Sequence, residues 1–122
     1  MDTNTSLVVL LIVALLGGAW LYLSSASDQT NSQPTNKEFV LKVVEKKLVS
    51  GPSTLTARVG DTVTIKIMSD EDEELHVHGY DRSVDITPGT EASLTLLADT
   101  SGRFHFELEK SKTELGSLEV LP

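Results

Sequence analysis

Thr62-Val63-Thr64-Ile65-Lys66-Ile67-Met68 alternates polar and apolar residues almost without a break. Successive side chains of a β-strand point to opposite faces. Val63, Ile65 and Ile67 therefore share one face, and the threonines and Lys66 take the other. A helix would scatter those three apolar residues around its axis. Neighbouring stretches repeat the period: Phe39 to Glu45, Thr54 to Val59, Ala92 to Leu96, Phe104 to Leu108 and Leu118 to Leu121, with a short piece at Val84-Asp85-Ile86. Gly51-Pro52, Gly60-Asp61, Thr87-Pro88-Gly89-Thr90 and Ser101-Gly102 mark turns between them. About seven short strands with turn signals roughly every 8–12 residues predict an all-β, antiparallel Greek-key β-sandwich. Its expected core is Val43, Leu55, Val63, Ile65, Ile67, Val84, Ile86, Leu94, Leu96, Phe104, Phe106, Leu118 and Val120.

The N-terminal part is different in kind. Leu7 to Leu23 is an uncharged run of 17 residues, apolar apart from two glycines and the amphipathic Trp20 and Tyr22. As a helix it would span roughly 26 Å, against about 30 Å for a bilayer core. The uncharged stretch from Thr3 to Ser27 supplies the remainder, and Trp20 and Tyr22 suit an interfacial belt. Residues 1–24 are therefore expected to be a single transmembrane anchor or a signal segment. A small-residue cleavage site is present at Ser24-Ser25-Ala26. Against cleavage, no Lys or Arg precedes the run, and the run exceeds the usual length of about 7–15 residues for a signal core. Residues 25–36, rich in Ser, Thr, Asn and Gln, form the expected flexible linker, and 37–122 the folded domain.

Formal net charge is −8, and the chain has no cysteine. A negative surface excludes nucleic acid as the natural partner, because Lys and Arg on phosphates supply most of that affinity. The absence of cysteine excludes disulfides, Cys-ligated zinc, iron–sulfur clusters and thiol catalysis.

Chemistry concentrates at Glu74-Leu75-His76-Val77-His78-Gly79-Tyr80-Asp81. His76 and His78, two apart on a strand, point to the same face and suit copper, with Met68, a carboxylate from Asp70 to Glu74, or water to complete the site. Without a thiolate this is not a blue-copper electron-transfer centre. The plain alternative is a polar pair on the sandwich rim, bonded to backbone or to the acidic loop. His105 lies between Phe104 and Phe106; with the phenylalanines inward it faces solvent with Arg103 and Glu107, on the opposite side of its strand from the expected site.

Four segments in this order resemble the cupredoxin-like superfamily over residues 38–122. They are Arg58-Val59-Gly60-Asp61-Thr62-Val63, the histidine strand ending in Gly79-Tyr80-Asp81, Pro88-Gly89, and Gly102-Arg103-Phe104 leading to Gly116-Ser117-Leu118-Glu119-Val120. Plastocyanin-like domains and the copper domain of cytochrome oxidase subunit II share the layout. The resemblance implies a first copper ligand on the strand of His76 and His78, with either residue as its match. It also implies that the Cys position is Leu108, the second-His region Ser111 to Thr113 and the Met position Leu115. Three of the four ligands are then absent, as in a degenerate member that lacks the type 1 copper Cys.

No Gly-x-Ser-x-Gly elbow or phosphate-cradling loop is present, and about 86 residues leave little room for a substrate pocket. The expectation is a non-enzymatic, single-pass membrane protein with its C-terminal domain on the periplasmic or extracellular side, or secreted to the periplasm if cleaved. Copper would be held through the His-x-His pair without type 1 chemistry, with an envelope protein as the expected partner. The alternative is a metal-free sandwich serving as an interaction or assembly module of a membrane complex.

Overall fold

The computed structural model describes residues 33–122. The hydrophobic run, and with it the expected membrane or signal segment, lies outside the described residues. Among the described residues no helix is long and apolar enough to cross a membrane. The described residues form nine strands: β1 (Asn36–Val44), β2 (Lys47–Ser50), β3 (Thr54–Arg58), β4 (Thr62–Ser69), β5 (Glu73–Val77), β6 (Arg82–Ile86), β7 (Ala92–Leu97), β8 (Gly102–Leu108) and β9 (Thr113–Leu121). They make two sheets, ordered β2-β1-β4-β7 and β3-β9-β8-β5-β6.

Period two in the sequence becomes burial in the fold. Along β4, Val63, Ile65 and Ile67 are fully buried, while Thr62, Thr64, Lys66 and Met68 are half-buried on the outer side. The core gathers Leu41, Ile65 and Ile67 from one sheet and Leu55, Leu75, Phe106, Leu108 and Leu118 from the other. Every expected core residue is buried except Val84 and Phe104, which pack against the cluster from its margin.

Two features depart from the sequence reading. β1 runs parallel to β4, and β3 runs parallel to β9, so the sandwich is mixed rather than wholly antiparallel. Turn residues report where the chain reverses; a crossover between parallel neighbours leaves no local mark. The second departure is β2. Glu45 and Lys46 both adopt left-handed backbone, with φ of 49° and 64°, and fold β2 back on β1 as a two-residue hairpin. Such turns are usually flagged by Asn-Gly or Asp-Gly. Glu-Lys carries no such flag, and the reading missed the strand.

The β8–β9 ladder slips by one residue between Phe106 and Glu107. Phe106 faces Gly116 and Glu107 faces Glu114, so Leu115 is the extra residue of a bulge and is buried in the core. Bulges re-aim side chains locally, and this one lies beside the site described next.

Candidate metal centre

β5 buries Leu75 and Val77 and leaves His76 on the outer face of its sheet. His78 follows the last strand residue, but its N–H donates to the carbonyl oxygen of His105 at 2.9 Å. That bond continues the β5–β8 ladder and keeps His78 on the same face as His76. The two rings stand 4.4 Å apart, centre to centre, tilted by 49°.

The strand beside them supplies carboxylates. Register places Leu108 opposite Leu75, Glu107 opposite His76 and Phe106 opposite Val77. Phe106 and Leu108 point inward, so Glu107 points outward beneath the imidazoles. Glu109 stays on that face because its N–H donates to the carbonyl oxygen of Glu74 at 2.8 Å. His78 Nε2 lies 2.9 Å from Glu107 Oε1, and His76 Nδ1 lies 3.2 Å from Glu109 Oε2. Side-chain exposure is 23% and 48% for the two histidines and 19% and 31% for Glu107 and Glu109, so an ion can reach the group from solvent.

The turn after His78 is fixed by packing. Gly79 has φ 85°, and a Cβ there would come within 2.5 Å of the Phe104 ring. Glycine alone satisfies both demands. Tyr80 meets Phe104 edge-on at 4.7 Å, donates its hydroxyl to the Thr100 carbonyl oxygen at 2.7 Å and accepts from the Thr100 N–H at 3.2 Å. Burial pushes the Tyr80 phenol up from its ordinary range. His78 therefore hangs from a pinned corner.

Glu109 is held ionised: the Lys112 ammonium on it, and the hydrogen bond to His76 after that, pull its carboxyl down to about 2. His76, His78, Glu107 and Glu109 each offer a ligand atom, and the four atoms lie within 4.8 Å of one another. Bonds of about 2.0–2.2 Å to one tetrahedral ion would set donors roughly 3.4 Å apart. Side-chain rotation on a half-exposed face can cover that difference. Two imidazole nitrogens and two carboxylate oxygens suit a divalent, borderline ion such as Cu(II) or Zn(II), whereas Cu(I) favours thiolate or thioether.

Most of the remaining candidates lie elsewhere. The structure does not bring Met68 to this group: β4 belongs to the other sheet, and Met68 lines a cavity of about 160 Å³ with Lys42, Val43, Val44, Ser69, Asp70 and Gly89. Of the acidic stretch, Glu74 alternates onto the outer face of β5 with His76, and three others are engaged elsewhere. Asp70 accepts from the Glu45 N–H, Asp72 pairs with Lys110 at 2.9 Å, and Glu73 is buried and faces the Ser111 N–H at 3.4 Å. His105 faces solvent as expected and bonds Glu114 at 2.9 Å. The expectation that it lies on the opposite side of its strand from the histidine pair does not hold, because the pair itself faces outward and all three histidines share one sheet face.

A type 1 centre does not fit. Leu108 and Leu115, which the resemblance puts at the Cys and Met positions, are 0% and 9% exposed inside the core. They point away from the imidazoles, with the sheet between. Glu107 and Glu109 were not anticipated as partners of the pair. Alternation in Phe104-His105-Phe106-Glu107-Leu108-Glu109 does put both carboxylates on one face. Which strand β8 would lie beside was not written in it.

A sandwich with an exposed imidazole–carboxylate group, and aliphatic side chains where sulfur ligands would stand, defines a cupredoxin-type domain without a thiolate. The chain belongs to the cupredoxin-like domain family, whose model matches residues 11–118. No curated protein matches the sequence. Among solved structures, a copper binding protein in its apo form is 12% identical with a TM-score of 0.59, covering 70% of this chain and 87% of that one. A chain of a heme-copper terminal oxidase dimer is 16% identical with a TM-score of 0.56, covering 98% and 99%. A laccase of B. aclada (the L499M mutant) is 17% identical with a TM-score of 0.58; the match covers 74% of this chain but only 23% of the laccase. At these identities the likeness is one of fold.

Proposed function

We propose that this chain is a non-enzymatic, membrane-tethered cupredoxin-like protein of the cell envelope that binds a divalent transition metal, copper above all, on the outer face of one sheet. His76 and His78 are its nitrogen ligands and Glu107 and Glu109 its oxygen ligands. The carrying observation is that these four side chains converge within 4.8 Å. Copper is favoured among the divalent ions because nitrogen and oxygen sites bind Cu(II) most tightly in the first-row series. The net charge of −8 raises the local concentration of any cation. The run from Leu7 to Leu23 supports the tether, with the sandwich on the periplasmic or extracellular side.

A second reading has its own observation: each imidazole already has a carboxylate partner, so the face is complete without an ion. The sandwich would then act as a metal-free interaction or assembly module.

Titration of the full chain with Cu(II), Zn(II) and Cu(I) separates the two. Metal binding predicts one Cu(II) per chain, weaker Cu(I), and loss of the site in the His76→Ala/His78→Ala double variant. Binding that is identical in the parent and the double variant refutes the metal reading.

A further inference from the structure

The donor group carries a cation of its own. Lys112 lies in the turn between β8 and β9, at φ 55°, and sets its ammonium on Glu109 Oε1. Glu109 Oε2 faces His76 Nδ1 at 3.2 Å, so both oxygens of this carboxylate are engaged. Lys110, two residues earlier, turns away and pairs with Asp72 at 2.9 Å. Of these two turn lysines, only Lys112 sits on the candidate ligands.

Glu107 and Glu109 bring two negative charges and Lys112 one positive charge, so the carboxylates and the ammonium together sum to minus one. A divalent ion alone neutralises both carboxylates. With Lys112 still in place, an ammonium and a dication crowd the same oxygens. The Lys112 side chain is 69% exposed, so solvent can take up the ammonium when it is displaced.

We propose that Lys112 is an affinity-setting residue: its ammonium competes with the incoming divalent ion for Glu109 and keeps the site weak enough to give that ion up. The site is then suited to exchange rather than storage. This inference rests on reading His76, His78, Glu107 and Glu109 as a metal site.

The test is competitive titration of the full chain with Cu(II) and Zn(II), with circular dichroism as a check on folding. Lys112→Met should tighten binding roughly three- to tenfold, as expected for removing an exposed ion pair and a like-charge contact. Lys112→Arg keeps the charge and should bind like the parent. Lys110→Met should leave affinity unchanged. The gap between parent and Lys112→Met should narrow as salt rises, because screening weakens exposed charge interactions. Equal or weaker binding by Lys112→Met, in a parent that does bind, overturns this proposal and leaves the metal site standing. A parent that binds neither ion overturns both.

Discussion

Asp61 shows how much one side chain can fix. Its Oδ1 accepts the Thr35 N–H at 2.8 Å and the Thr35 hydroxyl at 3.0 Å, and its Oδ2 accepts the Arg58 N–H at 2.9 Å. Its own carbonyl oxygen takes the Ala98 N–H at 2.8 Å. The residue thus ties the segment before β1, the β3–β4 corner and the end of β7. Donors aimed at the charged form, the Arg58 and Thr35 N–H groups first, hold its carboxyl below the ordinary carboxylate range. A lowered folded-state pKa adds stability above the unfolded value of about 4 and loses it as pH falls through the folded one. Asp61→Asn should therefore unfold at lower temperature near neutral pH, and its deficit should shrink as pH drops below about 4. Melting curves of both proteins between about pH 7 and pH 3 check this. A deficit that stays constant over that range would show that charge plays no part.

Gly116 limits how the strands of one sheet join. A Cβ there would stand 1.9 Å from the Ser53 carbonyl oxygen and 2.9 Å from the Phe106 ring. The same Ser53 oxygen accepts the Ser117 N–H at 2.9 Å, so it cannot retreat without giving up a bond that docks β3 on β9. Gly116→Ala should cost roughly 2–3 kcal/mol, the upper part of the range of about 1–3 kcal/mol for overpacking, because backbone blocks the added carbon. Gly89 is the contrast: it has φ 73° and nothing within 4 Å of a built Cβ. Gly89→Ala should cost only the left-handed backbone strain of about 1–2 kcal/mol. Urea unfolding of both variants compares them; a larger loss at position 89 would show that backbone strain outweighs crowding. The sequence announced these strands unevenly. β4 was legible because alternation is a local property, and Val63, Ile65 and Ile67 needed no partner to declare a face. β2 was not, since its turn uses Glu45 and Lys46 in a backbone shape that neither residue advertises. Pairing was the larger gap. β1 beside β4 and β3 beside β9 are long-range choices, made by the whole core.

That gap explains what could be foreseen of the site. His76 and His78 were visible because two residues on one pleat share a face wherever the strand lies. Glu107 and Glu109 became their partners only when β8 docked against β5 in the observed register. Met68 was plausible by ligand chemistry and fails by topology, since its strand sits in the opposite sheet. The two layers also separate the His–Glu group from the position where a thiolate ligand would stand. Leu108 points into the core, opposite Leu75, while both imidazoles point out through the other face of the same sheet. Supplying the missing sulfur at that position should therefore fail. In Leu108→Cys the thiol would sit among apolar side chains with a β-sheet between it and the histidines. Lost packing should lower stability by roughly 1–3 kcal/mol, toward and below the lower end of the range of about 2–5 kcal/mol for removing a whole leucine side chain. Cu(II) should still bind at the outer face with the parent's affinity, and the visible spectrum should show no intense copper–thiolate charge-transfer band. If that band appears at one equivalent of copper, the imidazoles can reach the core side of the sheet, and the separation of the His–Glu group from the Leu108 position is wrong.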